Sequence, residues 1–567
     1  MQSKQTPEGT QRRPLMTGVV ILSLALALLG LAARLGGVND PDGDVFWKHP
    51  TEDGYLMLTA ARNLALGKGL STADGLLPTN GVQPLATFLS AGFFRMVDGD
   101  RESGVRSLVF AYTLIAVLAA FLLYLLTEQI LRGWPHRRSA ALLAAAVWLS
   151  SPVTYHHTVN MLETGLYCAL VICSMLLFTR WHGFEGAWPV YRCLLFGAVL
   201  GLTFLARNDA VFLMLAVGTA HLASSRRGAV GVARRLWEGC LFGSVSVALA
   251  LPWLLYNASR FGSVVPISGH AYLERGDLGA KLKPTTVALF EHFTLVNSFH
   301  WSGVQHWGPF IGLCAVGAVA GCAVAVLAWR RLVAGNRSGT LSSVAIALFA
   351  GGLLVFYLAF FDAPHFIRRY LMPLSPFFAV LWGTVAVAAW QRVRGSRFRL
   401  ALPLVSVLLL AWFYIGSGLA DPRPWRKESV FYHELVWIRK NLTPDQWVGA
   451  FQSGTVGFFH DRTINLDGKV NQDALLAIQA GTHHQYVAES PVAYLLDWES
   501  LMRPWHASQT SEDFEWLVEV PTSGRSFVVL RRRALRPPSP ARFPNRAVTG
   551  ASPPVSTDGL APAFGAW

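Results

Sequence analysis

The chain has 567 residues, of which 52% are hydrophobic and only 14% charged. A soluble domain carries about a quarter charged residues, so this composition excludes an ordinary soluble protein and points to a membrane one. The net charge of +14 does not signal nucleic acid, because Lys and Arg sit in short clusters between apolar runs and no DNA- or RNA-binding motif accompanies them.

In chain order, the first apolar run is Pro14 to Leu35, after Arg12 and Arg13. It is long for a signal peptide and lacks a small-residue cleavage site, so it reads as an uncleaved first span. Further spans are expected near 104–131, 139–152, 163–180, 191–206, 208–225, 239–256, 303–329, 341–361, 371–390 and 400–419. The stretch 83–98 is ambiguous, and the basic connectors decide it. Arg132 with Arg137 and Arg138, Arg180 to Arg192, Arg226 to Arg235, Arg330 to Arg337 and Arg392 to Arg399 all fall in the cytoplasm with the N-terminus if 83–98 is not a span. It is therefore read as a juxtamembrane helix at the outer surface, starting at Pro84. The six cysteines, Cys168, Cys173, Cys193, Cys240, Cys314 and Cys322, lie in or beside apolar runs without CxxC spacing. They read as small buried hydrophobes.

The expected fold is an α-helical polytopic membrane protein of about eleven spans, followed by a small α/β domain. Segments 36–103, 153–162, 257–302, 362–370 and everything after 420 then face outward. The soluble domain, 420–536, opens with the helical pattern VFYHELVWIRKNL and continues with strand-like QWVGAF, RTINLDG, FEWLVEV and SFVVLRR. Residues 537–567 are proline-rich and without apolar period, and are expected to be disordered.

The first outer segment contains HPTEDGYLMLTAARNLALGKGL. Thr51 caps an expected helix that begins at Glu52 and Asp53, and Gly67 and Gly69 end it. Two acids at that point also suit the helix dipole. The loop that follows, GLLPTNGVQPLATFL, turns back to the membrane through Asn80 and Gln83 as a substrate-binding loop would.

The string EDGYLMLTAARNLALGKGL…PTNGVQPL resembles the first extracytoplasmic loop of the GT-C superfamily of membrane glycosyltransferases. NMLETGLY (160–167), LARNDAV (205–211), PWLLYNASRFGSVVPISG (252–269), IRRYLMPLSP (367–376) and TINLDGKVNQDAL (463–475) are similar to further segments of its bacterial branch. The acidic pair departs from the commoner Asp-Asp or Asp-Glu by being Glu52-Asp53. The resemblance implies an inverting transferase of the bacterial cytoplasmic membrane, active on the extracytoplasmic side. It would move a sugar from a polyprenyl-phosphate donor to a glycan or lipid acceptor. It leaves metal dependence open, since some members use a divalent ion such as Mg or Mn and others do not.

A sugar on a phosphate already has a good leaving group. The reaction needs a carboxylate to take the acceptor proton and cations to hold the departing phosphate. Asp53 is the expected base, with Glu52 and Glu163 as second choices. Arg368 and Arg369, beside His365 and Tyr370, are the expected phosphate site, against the simpler reading of interfacial anchors. Arg207 and Asp209 read first as an ion pair closing a helical hairpin. His156 and His157 flank the Glu163 loop. His270, Lys281 and Lys283 lie in the 257–302 loop, able to cover the site, and Tyr256, in the segment PWLLYNASRFGSVVPISG that the resemblance covers, is a further substrate-binding candidate. Asp467, Lys469 and Asn471 stand in a turn that the resemblance brings toward the membrane domain. No Walker sequence or nucleotide-binding glycine motif is present. The competing class is a secondary transporter or flippase of lipid-linked sugars, which would show midplane ionisable residues and repeated halves. A polymer ligase or a catalytically dead subunit would leave the acidic pair facing lipid or solvent.

Overall fold

The computed structural model describes residues 8–39, 45–183, 186–227, 230–271, 278–295, 329, 335–361, 363–393, 429–507, 512–522 and 525–533. The expected span 400–419, the tail 537–567 and, save Trp329, the expected span 303–329 lie outside these residues.

The first helix, α1 (Glu8–Leu35), is followed by α2 (Val45–Lys48) and α3 (Glu52–Ala65), then by a two-stranded hairpin of β1 (Ser71–Thr72) and β2 (Leu77–Pro78). Next come α4 (Pro84–Met96), α5 (Arg101–Ile130), α6 (Arg137–Ser150), α7 (Pro152–Thr158) and α8 (Thr164–His182). The bundle continues with α9 (Val190–Ala206), α10 (Ala210–Ala223), α11 (Val232–Phe261), α12 (Ile267–His270) and α13 (Leu278–Thr294). It closes with α14 (Arg337–Ala359), α15 (Ile367–Leu371) and α16 (Ser375–Val393).

Among the described residues, six helical stretches are long and apolar enough to cross a membrane: Thr17–Leu35, Arg101–Ile130, Thr164–His182, Val232–Phe261, Arg337–Ala359 and Ile367–Arg392. The helices α6, α9 and α10 are shorter, at 14, 17 and 14 residues. The ambiguous stretch 83–98 is α4, of 13 residues. At ~1.5 Å per residue it reaches about two thirds of a ~30 Å hydrocarbon core. It packs Ala91 and Phe94 against Val105 and Leu108 of α5 instead. The bundle core is built mostly from small and aliphatic side chains, with Trp148 and Phe349 fully buried.

The C-terminal domain begins with α17 (Val430–Asn441), followed by β3 (Val448–Ala450), α18 (Gly454–Phe459), β4 (Thr463–Asn465) and α19 (Gln472–Gln479). Its remaining strands are β5 (Tyr494–Trp498), β6 (Phe514–Pro521) and β7 (Ser526–Arg532). The sheet order is β4-β3-β5-β7-β6, with β3 parallel to both β4 and β5 and the other pairs antiparallel. The strand β5 sits at the centre, where both faces are covered. Its middle residues, Leu495, Leu496 and Asp497, are all buried, so it lacks the alternation that marks a strand with one face in water.

The domain is fastened to the membrane part by charge and by aromatic packing. Asp461 pairs with Arg62 of α3 at 3.0 Å and with Arg101 of α5 at 2.8 Å. Phe458 and Phe459 of α18 pack on Phe46 and Tyr55. Because Arg62 is buried, removing Asp461 leaves it without its carboxylate. Asp461→Ala is expected to destabilise the docked state by about 2 kcal/mol, between a surface pair and a fully buried one. Earlier proteolytic release of the C-terminal domain in a protease titration would register it; an unchanged profile would contradict the assignment.

Candidate functional site

The segments joining the bundle helices at the end nearest the C-terminal domain converge on one carboxylate. Thr51 caps α3, its hydroxyl accepting from the Gly54 amide at 3.2 Å. This places Glu52 and Asp53 on the first helical turn. Successive helical side chains diverge by about 100°, so the two acids face different surroundings.

Asp53 faces inward. Arg369 of α15 donates to its Oδ2 at 2.9 Å, and Lys469 Nζ lies 3.7 Å from its Oδ1. Lys469 also pairs with Asp467 at 3.2 Å. Arg369 lies over the Phe366 and Tyr370 rings and donates to the Tyr370 hydroxyl at 3.3 Å. Burial by itself would raise the Asp53 carboxyl, but the charges of Arg369 and Lys469 outweigh it and hold the group below the usual carboxylate range.

Glu52 faces the C-terminal domain. Its carboxylate accepts from the Gly454 amide, from the Thr455 amide at 3.0 Å and from the Thr455 hydroxyl. A Cβ on Gly454 would lie 2.0 Å from the Glu52 carbonyl oxygen, so only glycine permits this approach. The same holds at Gly81, where a Cβ would lie 2.0 Å from the Lys469 carbonyl oxygen.

Two cavities meet at Asp53. One, of about 360 Å³, contains Glu163, Arg207, Asp209, Gln83, Tyr357 and Tyr370, with Val211, Phe212 and Phe356 of α10 and α14 as an apolar side. The other, of about 530 Å³, contains His156, His157, His365, Arg368, Gln452 and Trp498. Asp53, Leu162, Phe366, Arg369 and Lys469 line both and form the wall between them.

The first cavity is organised by Arg207. This residue binds Asp209 at 2.7 Å and the Tyr357 hydroxyl at 3.0 Å, and lies 3.7 Å from Glu163. Tyr357 donates to Asp209 at 2.6 Å and stacks on Tyr370, ring centroids 4.7 Å apart. So Arg207 and Asp209 do pair across the α9–α10 turn, and they also join Glu163 to the cavity lining. In the second cavity, Arg368 pairs with Glu291 of α13 at 3.1 Å, and His292 donates to the Arg368 carbonyl at 2.6 Å.

Several residues expected from sequence stand apart from this centre. Asn80 is buried, donating to Asn257 and accepting from the Ile267 amide, and so ties the first loop to α11 and α12. Asn471 caps α19 and donates to the Asn465 carbonyl and the Tyr486 hydroxyl. Tyr256 stacks on Trp253, and His270 pairs with Ser263; neither lines the two cavities. Lys281 is buried within α13 and Lys283 is exposed. Sequence reasoning missed Glu291, Tyr357, Gln452 and Trp498. The Glu-His pair in FEHF, directly after the apolar run VALF, was a usable signal for Glu291. Tyr357 carried none, being one aromatic residue in an apolar span.

Among the described residues, no three His, Cys, Asp or Glu side chains converge as a metal site. At Asp53 the positive charge is already supplied by Arg369 and Lys469. The described donor set does not fit a divalent ion there.

Residues 426–534 match a family described as a domain of unknown function (DUF8728). No curated protein matches the chain. Among solved structures, the chain is similar to the archaeal oligosaccharyltransferase AglB from Archaeoglobus fulgidus in complex with an inhibitory peptide and a dolichol-phosphate. That likeness has a TM-score of 0.54 at 13% identity, over 90% of this chain and 74% of that one. ArnT from Cupriavidus metallidurans in the apo state aligns with a TM-score of 0.54 at 14% identity, over 90% of this chain and 98% of that one. The Archaeoglobus fulgidus oligosaccharyltransferase in complex with Zn and sulfate aligns with a TM-score of 0.51 at 13% identity, over 89% and 72%. What is shared at such identities is the fold. This chain is a multi-pass membrane protein with a C-terminal sheet domain, and its fold is that of the GT-C membrane glycosyltransferases.

The surroundings of Glu52 carry a pH consequence. Burial is the main influence on its carboxyl and pushes it up to about 7, the donated hydrogen bonds opposing it only in part. The docked state therefore binds the proton more tightly than the unfolded chain, whose carboxyl titrates near 4.5. The resulting stability is complete below about pH 4.5 and is lost as pH rises through about 7. The Tm of detergent-solubilised protein is expected to fall between about pH 5 and about pH 8, with a shallower fall in Glu52→Gln. Equal slopes in both would exclude Glu52 as the source.

Proposed function

We propose that this chain is an inverting glycosyltransferase that moves a sugar from a polyprenyl-phosphate carrier to a hydroxyl of a glycan or lipid acceptor. It would work at the extracytoplasmic face of a bacterial inner membrane. The observation that carries this reading is Asp53, bound to Arg369 and Lys469 in the wall between two cavities. A carboxylate flanked by cations at such a wall can meet a phosphate-linked sugar on one side and a hydroxyl on the other.

In this reading the donor lies in the cavity of about 360 Å³. Its isoprenoid chain runs out along Val211, Phe212 and Phe356, and Val211 is 40% exposed at that margin. The donor phosphate draws the charges of Arg369 and Lys469 toward itself, as anionic oxygens do with guanidinium and ammonium groups. Asp53, relieved of part of its pairing, then becomes a better proton acceptor. The acceptor hydroxyl approaches through the second cavity and attacks the anomeric carbon. Its proton passes to Asp53 as the new glycosidic bond forms. The bond from the anomeric carbon to the phosphate oxygen breaks, and the electron pair leaves on the lipid phosphate, held by Arg369 and Lys469. Glu163, Arg207, Asp209 and Gln83 surround the place of the sugar ring. The fold-level likeness to proteins whose structures hold a dolichol-phosphate and an acceptor peptide supports a lipid-linked donor. A flippase reading finds less support, because the buried ion pairs that line these cavities gather at one end of the bundle.

The test is transfer of labelled sugar from synthetic polyprenyl-phosphate sugars (a pentose, a hexose and an aminosugar) by purified protein, scored in native membranes that supply the acceptor. Asp53→Asn is expected to lower turnover by about 10³-fold, as loss of a general base does. Arg369→Ala is expected to lower it by ~10²-fold or more, as loss of a charge-stabilising donor does. Wild-type turnover in Asp53→Asn would remove the mechanism, and donor movement across liposomes without any acceptor would favour the flippase.

A further inference from the structure

The acidic pair is divided between two bodies. Asp53 meets Arg369 from the bundle and Lys469 from the C-terminal domain, while Glu52, one residue earlier, is held wholly by the domain's Gly454 and Thr455. We propose that Glu52 is a positioning residue, fixing the domain in the register that brings Lys469 to Asp53. This inference rests on the reading of Asp53 as the acceptor base.

Three observations carry it. First, the contact between α3 and α18 has no slack, since Gly454 lies against the Glu52 backbone so closely that a Cβ would overlap its carbonyl oxygen at 2.0 Å. Second, the Lys469 backbone lies equally close to Gly81 of the first loop, so the lysine reaches Asp53 only when the domain sits in this one register. Third, the domain has other fastenings at a distance from Asp53. Asp461 binds Arg62 and Arg101, and Gln472 donates to the Phe261 carbonyl at 3.1 Å. Loss of the Glu52 contact therefore leaves the domain attached but free to shift. Lys469 Nζ already stands 3.7 Å from Asp53, so a shift of about an ångström breaks the pairing. Misplacement on that scale costs about 10²-fold in rate.

The experiment is a double-mutant cycle on turnover, using the same panel of labelled polyprenyl-phosphate sugars in native membranes. It compares wild type, Glu52→Gln, Lys469→Met and the double variant, with Thr455→Val as a change made from the domain side. Glu52→Gln is expected to lower kcat by about 10²-fold, with any rise in donor KM no larger than that of Lys469→Met. The double variant should be no slower than Lys469→Met, because Glu52 acts through that lysine. Thr455→Val, which removes one of the Glu52 donors without touching the acidic pair, should reproduce part of the kcat loss. Limited proteolysis should show the domain still docked in every variant. Multiplying losses in the double variant would overturn the inference, as would full activity in Glu52→Gln. So would a silent Thr455→Val beside an inactive Glu52→Gln, which would make Glu52 itself a chemical group. Wild-type turnover in Asp53→Asn is a separate result, and would remove the base assignment rather than this coupling.

Discussion

The structure around the candidate site depends on one constraint: a carboxylate taken out of water must find positive charge or hydrogen-bond donors. Asp53 finds it in Arg369 and Lys469, which come from two different domains, the helical bundle and the C-terminal sheet domain. Holding those partners requires the rest. The segment before α15 must place Arg369 against Phe366 and Tyr370, and the turn after β4 must lower Lys469 onto Gly81. The cap at Thr51 must start α3 at the residue that aims Asp53 between them.

The same accounting governs the first cavity. Arg207 is buried and shared between Asp209, Glu163 and two tyrosine rings. Its guanidinium donates to the Arg369 carbonyl at 3.4 Å, which joins the two clusters through the backbone of α15. A network of that kind is rigid when complete, which suits a site that must hold a sugar ring in one orientation. The opposite acid of the pair, Glu52, is satisfied by backbone and hydroxyl donors rather than by a cation. That difference in partners is what sets the two neighbouring carboxyls apart.

Much of this was legible in the sequence, and for physical reasons. Hydropathy and basic clusters are long-range averages, so they located the six long apolar helices among the described residues and argued that the short stretch 83–98 lies apart from them. The capping threonine announced the start of α3, and the short strand-like runs announced β3, β4, β6 and β7. The central strand β5 escaped notice because burial on both faces erases alternation. The acidic pair and Arg369 were legible as chemistry, but their division of labour was not. Both acids line the second cavity, and which of them meets cations and which meets backbone donors depends on where the helix meets Lys469 and Gly454 of a domain far along the chain. Asn80 and Asn471 were read as contacts to substrate and proved to hold loops in shape, a role that polar residues in turns serve equally well.

The origin of Lys469 has a temporal side. It belongs to a segment translated after every membrane helix described here. Until that segment has folded and settled on α3, the wall between the two cavities lacks one of its cations and part of its surface. Asp53 therefore gains Arg369 only with the last described membrane stretch and Lys469 only when the C-terminal domain docks.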